Sequence, residues 1–292
     1  MLYEISNERL TVSIDSVGAE LFAITDRRGT QYLWQGNPAW WNDRAPVLFP
    51  YVGRLYEKTY TTKGGTYSME IHGFVREMEF SVGERRTDSI EFYLTDTPET
   101  YVKYPYHFRF AVVYTLVENR LEISYRVDNR DGGVMDFGVG GHPGFRIPLL
   151  PGEQLTDYQV VFGEKCHPTQ ISFADSCLRD NVDPAFPLEH DDTLPLRHDL
   201  FDRDAIALAN VAHRASVVGP NGPVVQVDYP DMPYLGIWQT PFKEPPFLCI
   251  EPWVSLPGRE GVREDFPTRE DMIHLPDGAH YENNWSITLP QA

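Results

Sequence analysis

The feature that most limits what this chain can fold into is a hydrophobic period of two that returns, segment after segment, along its whole length. Leu10-Thr11-Val12-Ser13-Ile14-Asp15 alternates apolar and polar residues, and Val17 to Ile24 resumes the pattern after one turn. Both read as paired, half-buried strands. Ser89 to Asp96, Phe108 to Val117 and Leu121 to Asn129 alternate in the same way, and the short Glu118-Asn119-Arg120 connection between the last two is that of a hairpin. Gly64-Gly65 and Pro220-Asn221-Gly222 supply further hairpin turns, and Asn284 to Leu289 closes the chain as a strand. Leu149 to Leu196 is rich in Pro and Asp with weak periodicity, so edge strands and long loops are expected there. Helical spacing is scarce. Thr268-Arg269-Glu270-Asp271 has a capping-box outline and could start one short turn.

No repeat, low-complexity tract or linker interrupts this pattern, so a single domain over residues 1–292 is expected. A lone sheet of so many strands would curl or split, which points to an all-β fold, a large antiparallel β-sandwich. Charge narrows the partners: 25 Lys and Arg against 43 Asp and Glu give a net charge of −18, which repels nucleic acid and anionic membrane surfaces. Cys166, Cys177 and Cys249 form no C-x-x-C pair and build neither a disulfide framework nor a zinc knuckle. With no basic-then-apolar leader at Met1-Leu2-Tyr3-Glu4 and no apolar run near the ~18 residues of a membrane span, a cytoplasmic location is expected. Asn284-Trp285-Ser286 matches a glycosylation acceptor by chance and belongs to the last strand.

Against this background a few polar residues stand out. Phe247-Leu248-Cys249-Ile250-Glu251-Pro252-Trp253 sets one carboxylate at the end of an apolar run. Pro252 should end the strand's ladder, leaving Glu251 where the strand quits the core, partly desolvated and with a raised pKa. Trp253 offers the flat face that sugar rings pack against; an ion pair with an arginine is the alternative use of Glu251. Pro46 to Leu55 reads as an apolar strand from which Arg54 emerges, and His72 stands at a strand end beside Gly73. The glycine-rich stretch Met135 to Phe145 surrounds one imidazole, His142, followed by Pro143. Tyr234 to Gln239 leads into the Glu251 strand and brings Trp238, a candidate substrate-binding residue. The loop with Trp40 and Trp41 reads as a packing plug, as the wall of a sugar site, or as both, while Tyr101, Tyr104 and Tyr106 read as core cover. Dinucleotide, nucleotide, zinc-protease and serine-hydrolase motifs are absent. Two histidines, an arginine and one or two carboxylates suit cofactor-free proton transfer, so no cofactor and no metal are expected.

Leu33-Trp34-Gln35-Gly36, Arg44 to Pro50, Gly53-Arg54-Leu55, His72-Gly73-Phe74, Gly141 to Phe145 and Ile250 to Trp253 together resemble the aldose 1-epimerase, or galactose mutarotase-like, family almost end to end. The resemblance is nearest to its epimerase-like branch. It implies a β-supersandwich that interconverts the α and β anomers of a free aldose. By the same resemblance Glu251 matches the general base and His142 the general acid, while His72 and Arg54 match residues that hold the hydroxyls and ring region. Asp204, chosen over Asp202 because it directly precedes an apolar strand, matches a sugar-binding aspartate. The sequence departs from the galactose mutarotases after Trp253 and around the first arginine, which leaves the choice of sugar open.

The chemistry asks for a base and an acid on opposite sides of one carbon, because a cyclic hemiacetal opens when its anomeric hydroxyl loses a proton as its ring oxygen gains one. Reclosure on the other aldehyde face reverses the two roles. His142 would start protonated if a neighbouring carboxylate supplies negative charge, and a bell-shaped pH–rate profile follows; a flat one between about pH 5 and 9 would count against the pair. The rival readings are a hexose 6-phosphate epimerase, with Arg54 and Arg76 on the phosphate, a non-catalytic sugar-binding sandwich, and a metal site of His72, His142 and Glu251.

Overall fold

The computed structural model describes residues 1–290. Two large antiparallel sheets dominate it. The larger has nine strands, in the order Thr193–Pro195, Gln159–Phe162, Arg214–Gly219, Gly222–Asp228, His280–Thr288, Arg120–Asn129, Phe108–Val117, Ser89–Thr95 and Ser81–Arg85. The smaller runs Thr169–Ile171, Ile206–Ala209, Tyr234–Trp238, Phe247–Trp253, Gly140–Gly141 and Val47–Leu48, with Gly144–Arg146 also paired to Phe247–Trp253. An N-terminal meander of Leu2–Ser6, Leu10–Asp15 and Glu20–Asp26 packs into the same core. The β-sandwich expected from the alternation is thus the observed fold, and the Gly64-Gly65, Glu118-Asn119 and Asn221-Gly222 turns lie where expected.

Direct contact between the layers sets the floor of the site. Phe49 stacks on Phe110 of the nine-stranded sheet at 4.4 Å between centroids. Gly141 lies so close to Trp285 of that sheet that a Cβ there would approach the indole to 2.6 Å. His142, the next residue, therefore starts from a backbone pressed flat against the core.

Three local expectations change. Pro252 does not end its strand, which continues to Trp253 with Leu235 opposite Pro252 and Tyr234 opposite Trp253. Successive amides on one edge of the strand point at the Val139–Arg146 segment: Ile250 N–H donates to Pro143 O and Val254 N–H to Val139 O. Proline occupies the position between them, so its missing donor falls where that segment bulges around His142. Pro46 to Leu55 is not one strand; Val47–Leu48 is its only strand, Phe49 adds a single bridge to Gly73, and the chain then bends at Pro50 and again at Gly53, whose φ is +77°. The short turn near Thr268 precedes it, at Phe266–Thr268, because Arg269 and Asp271 are drawn into an ion pair. Arg269 is buried and also donates to Tyr51 Oη and Leu256 O, tying this turn to the chain behind the cavity. A six-residue helix, Pro98–Lys103, was not anticipated, although Thr97 before Pro98 is an N-cap signal and Thr97 and Thr100 form a reciprocal capping box.

Candidate active site

The strand Phe247–Trp253 is buried on both faces, so its burial does not alternate, yet the parity of its side chains still sorts them. Leu248 and Ile250 enter the main core between the sheets. Phe247, Cys249, Glu251 and Trp253 face the other way, where Phe247 and Cys249 pack with Trp34, Trp40, Trp41 and Trp238. Glu251 thus sits on the outer face of the smaller sheet, roofed by loops and 1% exposed. It is not at a strand end, and it is fully rather than partly desolvated.

Arg54, His72, His142, Asp204, Trp238 and Glu251 all line one cavity of about 250 Å³. His142 Nε2 lies 3.3 Å from Glu251 Oε2. Burial drives both groups towards neutrality: it pushes the Glu251 carboxyl well above the ordinary carboxylate range, with Asp204 adding repulsion, and pulls His142 down to about 3. Burial therefore favours a carboxylic acid beside a neutral imidazole, not the imidazolium–carboxylate pair expected from the sequence. The direction follows from desolvation, which costs two separated charges far more than one shared proton.

The Gly53 N–H donates to His72 Nδ1 at 3.1 Å, and the His72 N–H returns a bond to Gly53 O at 2.9 Å. With Nδ1 accepting, the neutral His72 ring carries its proton on Nε2. Burial, and then its neighbours His142, Arg76 and Arg54, hold His72 well below the usual imidazole range. The Trp238 indole N–H donates to Asp204 Oδ1 at 2.8 Å, and Asp204 occupies the left-handed region at φ +76°. Asp202 is exposed and does not reach the cavity lining. Arg54 stands at the mouth without a carboxylate partner among the described residues, whereas Arg76 is held by Asp43 at 2.7 Å.

The tryptophan loop is both plug and wall. Trp40 packs edge-on against Trp34, while Trp41 stacks on the His142 ring at 4.9 Å and 27°. Trp34 Nε1–H donates to Trp41 O at 2.9 Å and fixes the loop. The cavity also takes Asp43, Phe173, Cys177 and Pro257 into its walls. Asp43 was not singled out in the sequence and Cys177 was weighed only for disulfide and zinc pairing; no local pattern marks either as a site residue, since each sits in an irregular segment brought over the sheet by tertiary packing. The donor atoms of His142, Glu251 and Cys249 lie within 4.8 Å of one another, so Cys249, rather than His72, completes the set that could share a metal ion.

The family model described as aldose 1-epimerase matches residues 1–290. The chain belongs to the aldose 1-epimerase family. Among related chains, protein LacX of Lactococcus lactis subsp. lactis is 35% identical over 302 aligned positions, with 99% of both chains covered. A galactose mutarotase related enzyme from Lactobacillus acidophilus has a structure similar at TM-score 0.94 and 35% identity, covering 100% of this chain and 98% of its own. A galactose mutarotase-like protein from Lactobacillus casei matches at TM-score 0.94 and 30% identity over 99% and 100% of the two chains. The aldose 1-epimerase fold is thus shared along the whole length, including every segment that lines the cavity. No helix among the described residues is long and apolar enough to cross a membrane.

Proposed function

We propose that this protein is an aldose 1-epimerase that interconverts the α and β anomers of a free monosaccharide, with Glu251 and His142 as its proton-transfer pair. The observation that carries this reading is the 3.3 Å contact between a buried carboxyl and a buried imidazole at the base of a cavity of about 250 Å³. That volume lies just under the ~300–1,000 Å³ of typical ligand sites, a size for one sugar ring rather than a chain.

The two groups stand side by side, not on opposite sides of a carbon as expected from the sequence, and this arrangement still serves a hemiacetal because the anomeric and ring oxygens share one carbon. One group takes the proton from the anomeric hydroxyl while the other gives a proton to the ring oxygen, and the C–O ring bond breaks. Rotation about C1–C2 and reclosure return both protons with the roles exchanged. The pair needs one transferable proton, and one is what a shared carboxylic acid and imidazole hold. Asp204, steadied by the Trp238 N–H, would accept from sugar hydroxyls, His72 Nε2–H would donate, and Arg54 would contact the oxygens at the mouth. Indole faces of Trp41, Trp238 and Trp253 supply the apolar walls. The phosphate-sugar reading needs at least two free cations, and Arg76 is already engaged by Asp43, so an uncharged sugar is the better substrate class.

Polarimetry of freshly dissolved α-glucose and α-galactose tests this. Wild-type protein is expected to accelerate equilibration over buffer, and Glu251→Gln to lose roughly 10²- to 10⁴-fold of that acceleration. Calorimetric binding without acceleration would instead identify a sugar-binding module.

A further inference from the structure

The face of the strand that presents Glu251 also presents a thiol for which the proton-transfer scheme has no use. Cys249 stands two residues before Glu251, opposite Trp238 on one neighbouring strand and Gly144 on the other, and is 0% exposed. Its sulfur, a ring nitrogen of His142 and a carboxyl oxygen of Glu251 lie within 4.8 Å of one another. A second observation bears on the same place: Glu251 Oε1 and His142 Nδ1 are buried without hydrogen-bond partners among the described residues, and both side chains line the cavity. Polar atoms so placed are expensive unless a ligand satisfies them.

We propose that Cys249, His142 and Glu251 form a binding site for a borderline or soft divalent cation such as Zn²⁺, Co²⁺ or Cd²⁺, and that an ion bound there switches off sugar epimerisation. A thiolate, an imidazole and a carboxylate are the donor types of three-ligand zinc sites that leave a fourth position open, here towards the cavity. Metal bonds of roughly 2.0–2.3 Å require the donors to draw together from their widest separation by about an ångström, within the reach of side-chain rotation. The thiolate selects against Ca²⁺ and Mg²⁺, which take six or more oxygens. On binding, the cation displaces the thiol proton and the one titratable proton that a net-neutral His142–Glu251 pair carries on either member. Two protons go to solvent, no oxidation state changes, and the pair can no longer exchange a proton with a sugar. The binding claim is independent of the epimerase reading; the inhibition rests on it.

Titration of metal-free protein with Co²⁺ separates the two, because a thiolate-to-cobalt charge-transfer band reports the sulfur ligand without any activity measurement. Wild type is expected to develop the band at one equivalent, and Cys249→Ala to lack it. Zn²⁺ should abolish the polarimetric acceleration of wild type, a chelator should restore it, and Cys249→Ala should need about tenfold more Zn²⁺ or beyond, since even outer contacts of a metal site are worth about 10- to 100-fold. Cys249→Ser serves in the same assays if the alanine variant folds poorly. No band in wild type, a band that survives the loss of Cys249 and so arises from Cys166 or Cys177, or equal Zn²⁺ sensitivity of wild type and variant would overturn the proposal. A protein that gives the cobalt band yet accelerates no sugar would retain the site and refute the epimerase reading alone.

Discussion

The His142–Glu251 pair behaves as one titrating unit rather than as a separate acid and base. Burial lowers the imidazole to about 3 and raises the carboxyl well above its usual range, so the pair keeps one proton between those two limits. The acid limb of the expected bell therefore moves out of the accessible range. The free-protein rate profile should lack an acid limb near pH 6.5 and should fall where the raised carboxyl gives up its proton. An acid limb with an apparent pKa near 6.5 in polarimetry would show His142 titrating alone. Trp41 is the second residue whose role is local. Its face lies on the His142 ring, where it stabilises any imidazolium that forms in passing, an interaction worth about 0.5–2 kcal/mol. Trp41→Leu should lower kcat roughly 2- to 30-fold with a smaller change in KM, and Trp41→Phe should recover most of it. An equal loss in both variants would assign Trp41 to substrate binding instead.

At the scale of elements, the strands Tyr234–Trp238 and Phe247–Trp253 act as one tool. Glu251 faces Gly236 across the ladder, and the missing Cβ makes room for the neighbouring Trp253 indole, which would be only 2.5 Å away. Gly236→Ala should push that indole into the cavity. The expected outcome is a loss of about 1–3 kcal/mol in denaturant unfolding and a raised KM for any accepted sugar. Unchanged KM would mean that Trp253 does not touch substrate. The same pair of strands shows why a buried carboxylate was legible as a site residue while its position was misjudged. A proline after an apolar run signals a ladder end only when the neighbouring segment continues, and here that segment bulges at His142–Pro143, where no donor is wanted.

For the whole molecule, the buried pair couples folding to pH. Glu251, raised in the fold, contributes stability that is present below its unfolded pKa and lost as pH rises towards its folded value. His142, lowered in the fold, costs stability as pH falls from about 6.5 towards about 3. Between about pH 4.3 and 6.5 the two slopes cancel wherever the folded carboxyl keeps its proton, because folded and unfolded chains then each hold one proton on the pair. Above about 6.5 the unfolded pair holds none, so stability from this source should fall with rising pH, at most by the linkage limit of about 1.4 kcal/mol per pH unit, for as long as the folded carboxyl keeps its proton. Denaturant titrations of wild type and Glu251→Gln from pH 6.5 to 9 check this; the variant should lack the alkaline slope.

Several parts of this protein were already written in the order of its residues. Period-two alternation specified strands, glycine and asparagine turns specified their hairpins, and too many strands for one sheet specified a sandwich. Arg54, His72, His142 and Glu251 were visible because each interrupts an apolar or glycine-rich stretch with a group that such a stretch has no local reason to contain. The tertiary structure alone decided what those groups can do. Asp204 rather than Asp202 reaches the cavity because its left-handed backbone turns it towards Trp238. Cys249 joins His142 and Glu251, Asp43 neutralises Arg76, and Trp41 covers the imidazole, though residues far apart in the chain supply each partner. The protonation of the pair was the least legible property of all. It depends on how completely water is excluded, and that is set by loops closing over a sheet, a property no single segment carries.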